Sequence, residues 1–192
     1  MSGKTGRRLW HLLGGSFFPV LAFFVSGKAL LIAIGAVTAG FLLWEALRFA
    51  IPEVNRWVVL HLSPILKDEE RYRPTGSTYM LISTLLVFLL FDEYIAIAAV
   101  LFLSLGDPAA SVVGEAWGTR RLWGKTLEGS SACLLSCLIL GMLPATVGTM
   151  SPLVIIAGAI AATVIELLPL HINDNFTLPL GSAAVMALVS LL

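Results

Sequence analysis

Gly106-Asp107-Pro108-Ala109-Ala110-Ser111-Val112-Val113-Gly114, followed by Gly124-Lys125-Thr126-Leu127-Glu128-Gly129-Ser130-Ser131, places two carboxylates, a lysine, hydroxyls and several glycines between long apolar runs. The rest of the chain decides what such a stretch can be. Of 192 residues, 58% are hydrophobic and only 12% charged, and the mean hydropathy is +0.93. A soluble domain of this size could not cover so much apolar surface with so little polar material. The expected solvent is a bilayer, and the expected fold is an all-α integral membrane protein forming a single membrane domain over 1–192. The formal net charge is zero, so nucleic acid is not an expected partner.

A spanning helix needs about 20 mostly apolar residues. Working outward from the central stretch, segments of that kind run approximately 9–26, 29–51, 76–91, 94–117, 129–148, 151–169 and 177–192. They predict a bundle of about seven transmembrane helices. Lys4, Arg7 and Arg8 before a short apolar run resemble a signal peptide, but the run carries Gly14, Gly15 and Pro19 and leads to no soluble domain. It is read as a retained first span. Residues 52–75 are the longest polar region. Val54, Trp57, Val58 and Leu62 recur there at helical spacing, predicting a surface amphipathic helix over 54–66 and a charged loop over 67–74. Cys133 and Cys137, four apart in an apolar run, read as helix packing rather than a disulfide or metal pair.

Lysine and arginine fix the orientation. With the N-terminus on one side, that side receives Lys4, Arg7, Arg8, Arg48, Arg56, Lys67, Arg71, Arg73, Arg120, Arg121 and Lys125, and the other receives Lys28 alone. The N-terminus and the central stretch are therefore expected to face the cytoplasm. Glu45, Asp107, Glu115, Glu128, Glu166, Asp174 and His11 all fall toward that same side. Acids in membrane spans are costly and point to function by default, although those near span ends also snorkel to the interface. The five tryptophans (Trp10, Trp44, Trp57, Trp117 and Trp123) sit near the same span ends, as interfacial aromatics do.

Asp107-Pro108 reads as a helix stop and restart, with Asp as N-cap and Pro at the first helical position. The fourth span is then discontinuous, with a half-helix from 108 to about 117, a device that lines polar cavities. Ala109, Ala110, Ser111 and Gly114 give it a small-residue face that also suits plain helix packing. Gly118 to Gly124 reads as a short basic loop; Arg120 and Arg121 either set topology or attract phosphate. A P-loop is excluded, since five residues rather than four separate Gly118 from Gly124 and no strand precedes them. Glu128 suits a helix N-terminus, and with Asp107 it forms a pair able to hold Mg²⁺. At the far end, Asn173, Asp174 and Asn175 either cap the last span or complete the site.

The spacing Asp107-x-x-Ala110-x-x-x-Gly114-x-x-x-Gly118, then Lys125-Thr126-x-Glu128-Gly129, resembles the nucleotide-binding region of the CTP-dependent lipid kinases, the polyprenol, dolichol, phytol and diacylglycerol kinase family. Arg8-x-x-His11, Glu45-x-x-Arg48, Thr75-Gly76-Ser77-x-Tyr79 and Asp174-Asn175-x-x-x-Pro179 are similar to its flanking elements, so the resemblance runs from about residue 7 to 180. The related phosphatidate cytidylyltransferases carry a His-Gly-Gly turn and an Asp-Arg-x-Asp run where this chain has His171-Ile172-Asn173-Asp174-Asn175. That departure favours the kinase branch.

The resemblance implies transfer of the CTP γ-phosphate to the hydroxyl of a membrane lipid alcohol, with 106–131 as the nucleotide-binding stretch. It implies Asp107 and Glu128 as Mg²⁺ ligands and Lys125 with Thr126 on the phosphates. Asp174 would be a base or further metal ligand, in roles interchangeable with Asp107. Gly114, Gly118, Gly124 and Gly129 would let backbone approach the nucleotide. His11, Glu45, Arg48 and Asn175 are expected around the lipid or behind the site. CTP, a lipid alcohol and the bilayer are the expected partners, and whether the chain forms a homodimer stays open. The rival readings are a lipid cytidylyltransferase and a non-enzymatic transporter or scaffold.

Overall fold

The computed structural model describes residues 3–62, 66–147 and 150–192. It opens with α1 (Gly3–Leu21), α2 (Gly27–Ala50) and the short α3 (Pro52–Leu62), then a 3-10 turn (Asp68–Arg71) leads to α4 (Gly76–Leu90). Next come α5 (Glu93–Leu101), a π-helical turn (Phe102–Gly106) and α6 (Asp107–Trp117), which run on as one rod. A two-stranded hairpin, β1 (Arg121–Leu122) and β2 (Lys125–Thr126), joins the rod to α7 (Leu127–Val147), which is followed by α8 (Pro152–Leu167) and α9 (Asp174–Val189). The helix starts are written locally: Ser26, Thr75, Asp92, Ser151 and Asn173 each accept a backbone N–H in the first turn that follows.

The rod is the axis of the bundle. Ile95 through Ser104 are all buried, and α1, α7 and α9 pack directly on it. The opposite surfaces stay apolar: Ile32 and Leu43 on α2, and Leu135 and Ile139 on α7, are exposed. Such faces suit hydrocarbon, where helices satisfy every backbone polar group internally. Among the described residues, three helices are long and apolar enough to cross a membrane, Gly27–Ala50, Glu93–Trp117 and Leu127–Thr146. The segments expected at 76–91, 151–169 and 177–192 form the shorter apolar helices Gly76–Leu90, Pro152–Leu167 and Asp174–Val189. At 1.5 Å per residue these reach about 24 Å, less than the ~30 Å hydrocarbon core.

The predicted break at Asp107-Pro108 is corrected. Gly106 and Asp107 both have helical dihedrals (φ −65°, ψ −48° and φ −63°, ψ −47°), so the span is continuous and Asp107 does not cap it. A proline inside a helix lacks the N–H and collides with the carbonyl four residues back. The π turn immediately before Pro108 adds a residue to the helical turn and absorbs that mismatch. Cys133 and Cys137, free and fully buried, pack against this turn: a Cβ on Gly106 would lie 2.9 Å from Cys137 Sγ. The amphipathic helix expected over 54–66 is α3; residues 63–65 lie outside the described residues, as does 148 at the end of the expected fifth span.

The expected basic loop is the hairpin. Arg121 faces Thr126 and Leu122 faces Lys125, while Trp123 (φ 50°) and Gly124 (φ 88°) both adopt left-handed dihedrals. Two such residues make the type I′ turn whose twist matches paired strands.

Candidate active site

The rod, the hairpin and the α8–α9 junction each deliver one piece of a polar cluster. β2 projects Lys125, whose Nζ donates to Asp174 Oδ2 at 2.9 Å and to the backbone carbonyl of Glu166. The Glu166 carboxylate lies 3.4 Å from the same ammonium and accepts Ser130 Oγ at 2.9 Å. Burial alone would depress the Lys125 ammonium. The hydrogen bond to Asp174 and the charges of Asp174, Glu166 and Asp107 outweigh it and hold the pKa above the ordinary lysine value. Asp174 owes its position to Asn173, which caps α9 by accepting Asn175 N at 3.0 Å. The two readings of this segment are thus divided among neighbours: Asn173 caps, Asp174 meets Lys125, and Asn175 donates to Gly76 O at 2.8 Å.

From the rod, Asp107 Oδ2 stands 3.7 Å from His11 Nδ1 on α1. The other ring nitrogen, Nε2, is buried and has no hydrogen-bond partner. One turn along, Ser111 accepts Arg8 through Oγ at 2.8 Å, and Arg8 also pairs with Glu115 at 2.7 Å. Arg8 therefore bolts α1 to α6 beside the cluster.

Three of the expected glycines have a packing duty. A Cβ on Gly114 would lie 2.6 Å from Thr126 Oγ1, and one on Gly129 would lie 2.6 Å from Ala110 O and 2.8 Å from Thr126 Oγ1. Gly118 likewise leaves no room beside Thr126. Thr126 is wedged between α6 and α7, and the glycines let those helices close on it. Gly124 has open space around it and is needed for its left-handed turn.

Behind the cluster a buried polar latch holds the 67–75 segment. Arg48 donates to Glu45 Oε2 through Nη2 at 2.6 Å and Nε at 3.2 Å. It also donates to the carbonyls of Glu70 at 2.8 Å and Arg73 at 3.0 Å. Glu45 Oε1 accepts Thr75 N at 2.8 Å and Thr78 Oγ1 at 2.9 Å. Glu70 in turn accepts Gly76 N at 2.6 Å and Lys67 N at 2.8 Å.

A cavity of about 1030 Å³ gathers most of these groups. Asp107, Gly114, Gly118, Gly124, Lys125, Thr126, Gly129, Asp174, Asn175 and His11, all predicted from sequence, line it. Glu45 and Arg48 stand behind the wall that Glu70, Thr75 and Gly76 form. Glu128 is placed differently. It accepts Thr119 Oγ1 at 2.5 Å and Arg120 N at 3.2 and 3.3 Å, bracing the hairpin away from the cavity lining. Sequence reasoning missed Glu166 as a site residue, and it missed Glu70. Glu166 had a usable signal, an acid ending an apolar run at the depth of the others.

A membrane-compatible helical bundle is thus built around a cavity where a partly buried lysine meets the carboxylates of Asp174 and Glu166, with Asp107 on the same lining. No protein-family model matches the chain, and no solved structure does. Among characterised and uncharacterised proteins, it is 27% identical to an uncharacterized protein of Rickettsia prowazekii over 91% of this chain and 89% of that one. It is 32% identical to the CTP-dependent diacylglycerol kinase 1 of Schizosaccharomyces pombe, over 45% of this chain and 41% of that protein. It is 28% identical to a probable chloroplastic phytol kinase of Triticum aestivum, over 97% of this chain and 67% of that one. The last two similarities support a CTP-dependent lipid kinase family for this chain, at low identity.

Proposed function

We propose that this protein transfers the γ-phosphate of CTP to the hydroxyl of a membrane lipid alcohol, giving a lipid phosphate and CDP. The observation that carries the reading is Lys125 held between Asp174 and Glu166 on a cavity shared with Asp107. Phosphoryl transfer asks mainly for positioning and charge neutralisation. Lys125, with Arg7, Arg8 and Arg121 on the same lining, supplies cations for a triphosphate. The alcohol oxygen forms a bond to the γ-phosphorus as the bond to the β-phosphate oxygen breaks, and the alcohol proton passes to a carboxylate or to solvent. Asp174 is the candidate acceptor, and Asp107 could exchange roles with it.

The donor set fits Mg²⁺. That ion takes one or two carboxylates together with substrate phosphates rather than a protein cage, and among the described residues no group of three ligating side chains is assembled. Asp107 and Asp174 are the cavity carboxylates that would hold it, where it would offset phosphate charge. The seven-span arrangement, with the N-terminus and cavity facing the cytoplasm, belongs to the same reading and rests on the lysine and arginine bias.

The test is a panel of lipid alcohols incubated with CTP or ATP labelled at the α or γ position. Label from γ-CTP in the lipid is expected. Label from α-CTP in the lipid would establish a cytidylyltransferase instead. Transfer from neither nucleotide, with no CTP binding, would end the enzyme reading.

A further inference from the structure

The cavity is larger than the nucleotide cluster needs, and its lining divides by chemistry. Most of the charged groups come from α6, the hairpin, α8 and α9, while Arg7 and Arg8 of α1 and Lys67 and Glu70 ahead of α4 also stand on the lining. The other arm is apolar and aromatic: Trp10 of α1, Gly40, Phe41 and Trp44 of α2, Leu62 of α3 and Met80 of α4. The arms meet at α1 and α4, where His11 and Ser77 lie beside Trp10 and Met80 on the lining. A volume of about 1030 Å³ sits at the top of the ~300–1,000 Å³ range of small-molecule pockets, which leaves room for a second ligand.

The aromatic walls are fixed in place. Trp10 Nε1 donates to Ser77 Oγ at 2.9 Å. Phe41 and Trp44 meet edge to face with centroids 6.0 Å apart, and the Arg48 guanidinium lies over Trp44 at 5.3 Å. Beside Phe41 on the lining, Gly40 is exposed, and a Cβ added there would meet nothing within 4 Å. The neighbouring side chains Val37, Leu42 and Leu43 are exposed and apolar, a surface suited to hydrocarbon beside the arm.

We propose that this arm is the tail subsite of the lipid alcohol, that the lipid enters from the bilayer beside α2, and that Gly40 sets the bore. The inference deepens the kinase reading and rests on it for the identity of the substrate. Its own warrant is the continuity of one cavity from charged cluster to apolar arm. The recognised chemistry is a hydroxyl on a long apolar chain, isoprenoid or acylglycerol.

The experiment uses the full-length protein in mixed micelles. Gly40→Trp fills the bore. Gly35→Leu is the control, because a Cβ at Gly35 also meets nothing within 4 Å and Gly35 is absent from the lining. Gly40→Trp should raise the ratio of KM for a long-chain alcohol to KM for its short-chain analogue about tenfold or more. KM for CTP should be little changed, and Gly35→Leu should behave as wild type. Equal losses with long and short alcohols, or no loss with either, would overturn the subsite. Separate arms with a long isoprenoid alcohol and a long-chain diacylglycerol tell which tail the bore admits. A tail-borne photo-crosslinker gives a readout independent of catalysis. It should label the peptide carrying Phe41 and Trp44 in wild type and Gly35→Leu, and not in Gly40→Trp. If the wild type transfers no phosphate but labels there, the kinase reading falls and the tail subsite stands; if that peptide is never labelled, the subsite falls.

Discussion

Lys125 Nζ and Asp174 Oδ2 stand 2.9 Å apart, so one ion pair joins the hairpin to the first turn of α9 across 49 residues of sequence. Under the proposed function, a phosphate oxygen of the nucleotide would take the place that this carboxylate holds beside the ammonium. Lys125→Ala should therefore lower kcat/KM for CTP roughly 100-fold, the usual scale for losing one charged donor at a phosphoryl-transfer site. Lys125→Arg should recover part of the loss, since it restores the charge but not the point geometry. Steady-state kinetics with labelled CTP checks both. Wild-type kinetics in Lys125→Ala would remove this lysine from the site.

The same ion pair makes a pH prediction. The Lys125 pKa is raised in the folded protein, because the bond and charge of Asp174, with Glu166 and Asp107, overcome the cost of burial. A group with a raised folded pKa stabilises fully below its unfolded value, ~10.4 for lysine, and loses that contribution as pH climbs through the folded value. The stability difference between wild type and Lys125→Met should be constant from about pH 7 to 9 and shrink only above about pH 10.4. Thermal unfolding in detergent across that range measures it. A difference that fades near pH 8 would mean the lysine is not held as a cation.

Arg48 is wholly buried, and its donors go to Glu45 and to the Glu70 and Arg73 carbonyls. Removing one partner of a buried pair strands the other charge, at a cost of about 3–5 kcal/mol. Arg48→Met should therefore destabilise far more than an exposed substitution such as Arg71→Met, whose pairing with Asp68 is on the surface. Because Thr75 N and Thr78 Oγ1 bond to the same glutamate, early protease sensitivity should appear around residues 67–75. Limited proteolysis followed by peptide mapping reads this directly.

What sequence could and could not yield follows from the range of the forces involved. Helix positions were legible because span-length apolar runs are local. The convergence of Asp107, Lys125 and Asp174 was legible because charge bias put them on one side. The hairpin was not. Its turn is Trp123-Gly124, without the Asn-Gly or Asp-Gly signal that marks type I′ loops. The π turn was hidden because Pro108 signals a local disruption but not its form: a break and a widened turn begin with the same residues. Glu166 escaped because its partner Lys125 is 41 residues away, and an acid at a span end also reads as snorkelling. The glycines carried two readings, backbone approach to a nucleotide and, for Gly114, plain helix packing; Gly114 and Gly129 close the α6–α7 contact around Thr126. Small residues serve either purpose, and only the neighbour decides.

Glu128 offers the sharpest separation between the two accounts of the central stretch. The motif resemblance makes it a Mg²⁺ ligand. The geometry has it gripping the hairpin, with Oε1 accepting Thr119 Oγ1 at 2.5 Å and both oxygens near Arg120 N. If bracing is its duty, Glu128→Gln and Thr119→Val remove parts of one contact and should resemble each other. Each is expected to raise KM for CTP by a few fold, roughly the value of a single exposed hydrogen bond, with no change in the Mg²⁺ concentration giving half-maximal rate. Asp107→Asn, by contrast, should shift that concentration upward about tenfold or more, since Mg²⁺ sites lean on one or two carboxylates. A Mg²⁺ titration of the three variants settles it. A large shift in Glu128→Gln without one in Thr119→Val would return Glu128 to the metal and mean that the hairpin swings inward when nucleotide binds.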